Sequence, residues 1–321
     1  MNNNKLNFVY CFDQNFNKQA ITSINSLVSK LENSYNIIII HNNLSSLDKN
    51  MLINKENGEI HFYEFKNSGY KFPNIENGHV SEATYFRIFV EDYLDLDIDY
   101  FIYLDADIIC LNNPESYFHN KIKSLYDKKI PLAANTETYR NSDSEHYFKK
   151  LDLKNDKYFN AGILIVDFKF WKQNDVSSEL LKIMNDYKNN ITFWDQDVLN
   201  IHYDGNFLEL SDFVNFNLPF SKFQLFSKSF IDQNVIFMHY KGKAKPWNLK
   251  YALHKNSEYY QSEFRKFNNS KYHLVTKNLI NDIYYFFKVI FTLKFLKSQY
   301  SLGFIMAFLK SIISYLFVKN D

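Results

Sequence analysis

An α/β fold built on a largely parallel sheet is what this sequence of 321 residues predicts, and three observations predict it. Short apolar runs alternate with segments whose apolar residues recur at helical spacing. Some of those runs are apolar at nearly every position, as strands buried on both faces of a parallel sheet are. The strongest of them stops abruptly at an acidic residue, where a chain leaves the core. At 46% hydrophobic residues the chain has enough apolar surface for a substantial core.

Residues 6–12 read as a strand ending at Asp13, and residues 18–31 as a helix with Ala20, Ile24, Leu27 and Leu31 on one face. The β-branched run 37–40 marks a second strand within 35–41, and residues 59–65 a third. Residues 81–93 look helical, with Ser81 as the N-cap, and lead into the apolar strand 100–104, which ends at Asp105. Further buried strands are expected at 130–134, 161–167 and 235–238. Seven glycines, five prolines and no internal repeat leave no flexible linker before about residue 270, so residues 1–270 read as one domain.

The tail differs. From Lys271 to Asp321 there are seven lysines, two aspartates and no glutamate, a net of +5 that leaves −4 for the first 270 residues. Aromatic and apolar residues interleave with the lysines over two helical stretches, 278–297 and 301–318. In the second, Leu302, Ile305, Met306, Leu309, Ile313 and Leu316 form an apolar stripe, with Gly303, Ala307, Lys310 and Ser314 on another face. Lys310 near the middle would cost about 2.5–3.5 kcal/mol in a spanning helix, so the tail is expected to lie along an anionic membrane surface, with Lys288, Lys294, Lys297, Lys310 and Lys319 towards the headgroups. The plainer alternative is a helical pair that covers the preceding domain and completes its core.

Composition excludes other classes. With 37 basic and 36 acidic residues, the formal charge of +1 gives no global reason to expect nucleic acid. Cys11 and Cys110 sit in apolar runs without metal-ligand spacing, which fits a reducing compartment. The N-terminus has no basic segment followed by a long apolar stretch and a cleavage site, so a cytoplasmic location is expected.

Asp105-Ala106-Asp107 stands where open α/β sheets place their ligands. Two aspartates at i and i+2 can converge on a hard divalent cation that neutralises a diphosphate. Alone, the tripeptide fits equally a solvated strand end or an Asp-x-Asp phosphatase. His239-Tyr240-Lys241-Gly242-Lys243-Ala244-Lys245-Pro246-Trp247 adds an imidazole, several lysines and a glycine after another apolar strand, a composition suited to phosphate and metal. Asn160-Ala161-Gly162 opens a strand, and Trp194-Asp195-Gln196-Asp197 gathers polar groups beside an apolar stretch. Their plainer readings are a turn and a helix N-cap.

Taken in order with Cys11-Phe12-Asp13-Gln14-Asn15-Phe16 and Ser81-Glu82-Ala83-Thr84-Tyr85-Phe86-Arg87, these motifs resemble the family 8 glycosyltransferases over roughly residues 6–250, in particular bacterial lipooligosaccharide and lipopolysaccharide galactosyl- and glucosyltransferases. The resemblance implies a GT-A fold with a Rossmann-like mixed sheet, to which the residue pattern of the tail adds amphipathic C-terminal helices. It implies that Asp105, Asp107 and His239 hold Mn²⁺, with Mg²⁺ as the substitute. Donor-binding positions would be Asp13, Asn15, Phe16, Arg87, Asp105, Ala106, Asn160, Ala161, Gly242 and Lys245, and the transferred hexose would meet Asp195 and Gln196. The implied activity is retaining transfer of glucose or galactose from a UDP-sugar to a glycan or glycolipid hydroxyl, by an enzyme peripheral on the inner face of the plasma membrane. A catalytically silent carbohydrate-binding protein is the remaining alternative, and it would be expected to lose one of Asp105, Asp107 and His239; all three are present.

Overall fold

A computed structural model describes residues 5–73, 81–217, 219, 222 and 225–318; Lys319 lies outside them. The chain forms two compact units, residues 1–216 with 234–238 and residues 217–233 with 239–321.

The first unit is built on a seven-stranded mixed sheet. Its strands are β1 (Leu6–Asp13), β2 (Tyr35–Asn42), β3 (Gly58–Glu64), β4 (Tyr100–Leu104), β6 (Leu132–Tyr139), β7 (Lys157–Asp167) and β8 (Leu208–Glu209), in the order β3-β2-β1-β4-β7-β6-β8. A separate two-stranded ribbon pairs β5 (Ile108–Cys110) with β9 (Phe237–His239). The four strands from β3 to β4 are parallel, as expected, whereas β7 runs antiparallel to both β4 and β6.

Two apolar clusters explain the continuous apolar runs. Along β1, Val9 and Cys11 face one cluster while Leu6, Phe8, Tyr10 and Phe12 face the other; in β4, Phe101 and Tyr103 oppose Ile102 and Leu104. Each strand is buried on both faces, and every large apolar side chain so placed is worth about 1.5–3 kcal/mol. The helix Asn17–Lys30 contributes Ala20, Ile24, Leu27 and Val28 to the second cluster, and Leu31, just past its end, joins them. Cys11 and Cys110 are buried free thiols.

In β7 the alternation breaks. Phe159 and Ala161 belong to the first cluster, Ile163 and Ile165 to the second, and Leu164 and Val166 to the first again. The change of parity falls at Gly162, opposite a register shift between Ala133 and Asn135 of β6. Such irregularities re-aim side chains beside functional sites.

The segment expected as a helix over 81–93 is an eight-residue 3-10 run, Glu82–Phe89, followed by one α-helical turn, Val90–Tyr93. Ser81 stands at the N-cap position but its side chain makes no capping bond. Over so few residues the spacing of apolar positions does not separate three residues per turn from 3.6.

In the second unit the helix Ser301–Val318 matches the second stretch expected in the tail, whereas the first, 278–297, divides into the helix Leu279–Phe291 and a 3-10 turn, Lys294–Lys297. Phe304, Ala307 and Phe308 pack with Leu249, Ala252, Tyr272 and Leu274 in a core of their own. The opposite stripe, Leu302, Met306, Leu309, Ile313 and Leu316, is exposed, as are Ile280, Tyr284, Phe287 and Phe291 on the preceding helix. Ala307, set away from the stripe by its spacing, is therefore part of the inward face. Among the described residues no helix is long and apolar enough to cross a membrane.

Candidate active site

Parallel pairing sets Val9 beside Tyr103, so β1 and β4 deliver their carboxyl ends to the same edge of the sheet. Asp13 ends β1 and caps the turn Gln14–Phe16, its Oδ1 accepting from the Asn15 N–H at 2.9 Å. Phe16 lies half-buried against the second apolar cluster. These three form their own local turn.

Asp105 follows β4. One ligand atom from each of Asp105, Asp107 and His239, the last residue of β9, lies within 4.8 Å of the others. Two carboxylates this close repel each other unless a cation stands between them, and a set of carboxylates with one imidazole suits a hard or borderline divalent ion. The donor set therefore fits a divalent cation. Ala106, between the two aspartates, packs half-buried on the second cluster.

Arg87 joins this edge to the polar centre behind it. Its guanidinium donates to the Ala161 carbonyl at 2.6 Å and to Asp105 Oδ1 at 2.8 Å, and pairs with Asp195 Oδ2 at 2.9 Å. It also stacks 3.6 Å from the centre of the Tyr103 ring. Arg87 is 6% and Asp195 3% exposed at the side chain, so the charge is desolvated and must be balanced within the protein. Burial lifts the Asp195 carboxyl to about 6, with Arg87 and the Thr84 hydroxyl that donates to it pulling the other way.

Gln196 is fixed at both ends. Its Oε1 accepts from the Ala161 N–H at 2.9 Å and from Asn160 Nδ2 at 3.1 Å, while its Nε2 donates to the Tyr158 hydroxyl at 3.2 Å. Asn160 Oδ1 in turn accepts from Asn215 Nδ2 at 2.9 Å. The structure thus joins Arg87, Asp105, Asn160, Ala161, Asp195 and Gln196 in one bonded network, beside the metal triad.

Gly242 and Lys245 belong to the second unit. Gly242 has φ of +71°, which accounts for a glycine there, and Lys245, 9% exposed, donates from Nζ to the Tyr240 carbonyl at 2.7 Å.

Sequence reasoning gave no role to Asp197, which stands inside a motif it singled out, or to Tyr158, two residues before Asn160-Ala161-Gly162. Asp197 is fully buried and accepts from the Tyr158 hydroxyl at 2.6 Å, from the Tyr147 hydroxyl, and from the N–H groups of Thr192 and Phe193 at 2.6 and 2.8 Å. Tyr158 donates to Asp197 and so presents its lone pair to Gln196, which fixes the direction of the Gln196 amide. Burial pushes the Tyr158 phenol far above its ordinary range, keeping it a donor. A usable signal existed: Tyr158 and Asn160 share one face of β7 by strand alternation. The tetrapeptide from Trp194 is the first turn of the helix Trp194–Tyr203, with Phe193 at the N-cap position.

Residues 7–250 match the family described as Glycosyl transferase family 8. A lipopolysaccharide 1,2-glucosyltransferase of Escherichia coli is 29% identical over 190 residues, covering 56% of this chain and 53% of that protein. A lipopolysaccharide 1,3-galactosyltransferase of Salmonella typhimurium is 30% identical over 178 residues, covering 52% and 49%. The chain spans about half the length of these two relatives. Among solved structures, the galactosyltransferase LgtC in complex with donor and acceptor sugar analogues superposes with a TM-score of 0.66 at 21% identity, over 82% of this chain and 97% of that one. That likeness identifies the GT-A fold.

Proposed function

The chain belongs to glycosyl transferase family 8, and on that premise we propose that it is a metal-dependent, retaining hexosyltransferase. The donor is UDP-glucose or UDP-galactose, and the acceptor a hydroxyl of a lipopolysaccharide-type or other cell-surface glycan, the class named for the two bacterial relatives. The observation that carries this reading is the convergence of Asp105, Asp107 and His239 within 4.8 Å beside the Arg87, Asp195 and Gln196 network.

When bound, Mn²⁺ or Mg²⁺ would offset the negative charge that develops on the departing diphosphate. Lys245 adds a cation for that charge, and Gly242 allows close backbone approach. Asp13, Asn15 and Phe16 hold the uridine. Asp195, ionised above about pH 6, accepts hydrogen bonds from the hexose hydroxyls, and Arg87 keeps it aligned with Asp105. Gln196 is an amide and a poor nucleophile, so its place beside the sugar favours attack by the acceptor hydroxyl on the face the diphosphate leaves, with a diphosphate oxygen taking the proton.

The lysine-rich helices after residue 270 extend the proposal to peripheral attachment on the inner face of the plasma membrane. Support comes from the exposed apolar stripe and the positive charge of the tail. Leu302→Glu with Met306→Glu should abolish sedimentation with phosphatidylglycerol vesicles at low salt; undiminished sedimentation would remove this part of the proposal.

A donor screen for UDP release, with and without chelator, tests the reaction. Release from one UDP-hexose only with added Mn²⁺, and a product of retained anomeric configuration, is the expected result. Full activity in excess chelator or an inverted product would overturn it.

A further inference from the structure

The loop that carries Gly242 and Lys245 is held from outside at both ends. Near its start the Tyr240 hydroxyl donates to the Asn256 carbonyl at 2.6 Å, where the helix Ser257–Phe267 begins. Near its end Gln261 Nε2 donates to the Pro246 carbonyl at 2.9 Å, and the Val275 N–H donates to the Trp247 carbonyl at 2.9 Å. Gln261 is fully buried, and the rest of its amide is engaged by one residue: Oε1 accepts from the His273 N–H at 2.9 Å, and Nε2 also reaches the His273 carbonyl at 3.0 Å. The His273 ring stacks on Phe264 at 5.0 Å and meets the Tyr260 hydroxyl through Nδ1 at 2.5 Å.

We propose that Gln261 is a positioning residue for the donor loop, and that residues 272–276 are a strut of that loop, not only a lead into the tail. The inference rests on the reading of Gly242 and Lys245 as donor-binding groups. A primary amide is the side chain that can donate to one backbone carbonyl while pairing with both backbone groups of another residue. Gln261 uses this capacity to tie Pro246 to His273 where water cannot substitute. Lys245 immediately precedes Pro246, so a shift of that carbonyl moves the Lys245 backbone and the reach of its ammonium. The strut also meets the last helix: Tyr272 and Leu274 pack with Phe304, Ala307 and Phe308, and the Thr276 and Ser311 hydroxyls are 2.8 Å apart. The tail thus supports the loop through its inward face, and deletion from residue 271 would remove the strut together with the exposed stripe.

Gln261→Met keeps the side-chain length and removes all three bonds. Val275→Pro removes a single N–H from a half-buried position. For each folded variant, UDP affinity in Mn²⁺ is measured by calorimetry, and kcat and KM with the active UDP-hexose. Expected is an increase of about tenfold in the UDP Kd and in the donor KM, with kcat held within about threefold, the pattern of binding lost equally from the bound donor and the transition state. A merely structural role would lower Tm and leave the donor KM of the folded fraction unchanged, and that result overturns the inference. If Gln261→Met does not fold, Val275→Pro decides by the same criterion. Wild-type protein that binds no UDP with Mn²⁺ would instead defeat the donor-loop reading itself.

Discussion

The two polar centres are built in opposite ways. At the strand ends of the first unit, side chains are tied chiefly to other side chains, with Ala161 the shared backbone partner: Arg87 bridges Asp105 and Asp195, and Gln196 is set by Asn160 and Tyr158. In the loop of the second unit, side chains bond backbone carbonyls: Lys245 to Tyr240, Tyr240 to Asn256, Gln261 to Pro246. In the first arrangement charge and orientation are locked together, so removing one member exposes the others' desolvation cost. In the second, each bond fixes a stretch of chain, and the loss of one is felt as displacement.

Stability separates the two most sharply. Arg87→Ala leaves Asp195 buried without its cation and should cost about 3–5 kcal/mol, whereas Lys245→Ala, losing a charged hydrogen bond to the Tyr240 carbonyl and the contact with the Trp247 ring, should cost about 1.5–3 kcal/mol. Urea unfolding of both variants checks this; equal costs would erase the contrast. On activity, Asp107→Asn should reduce transfer by about 10²–10³-fold without lowering Tm in the metal-free protein, because it relieves repulsion with Asp105. Activity and melting measured side by side read both effects.

A smaller effect is expected from acid. The Asp195 carboxyl is raised to about 6, so it takes up a proton as pH falls through that value and loses the charge that pairs with Arg87 and strengthens its acceptance from a sugar hydroxyl. Activity should be full above this pH and fall by about tenfold for each unit below it, with Asp195→Asn flat across the same range. Smallest is Gly242→Ala. A Cβ there meets nothing within 4 Å, yet φ of +71° remains strained for alanine, at a cost of about 1–2 kcal/mol. A modest rise in UDP Kd with an intact first-unit network would show the loop responding alone.

How much could be read from the sequence follows from the same difference. Strand ends are punctuated by chemistry, so Asp13, Asp105 and Asp107 stood out against apolar runs, and β1, β2 and β4 fell within a residue or two of their expected positions. The antiparallel course of β7 was not legible, since a strand buried on both faces has the same composition in either direction. Asp197 was passed over because an acidic residue in the first turn of a helix has an ordinary explanation; only its four donors distinguish it. Gln261 carried no signal at all, as its partners are backbone groups and backbone groups leave no mark in a sequence.

The parity change at Gly162 has a consequence for how this chain can evolve. One strand serves two masters: residues 163–166 pack the two apolar clusters, while Tyr158 and Asn160 serve the polar network. A one-residue deletion between 157 and 161 would rotate Tyr158 away from Gln196 and leave the distal half of β7 in register. The same deletion within β2 would exchange the residues facing its two clusters. Length variation near Gly162 would therefore disturb the polar network and the packing of Tyr158 and Phe159 together, while residues 163–166 keep their register.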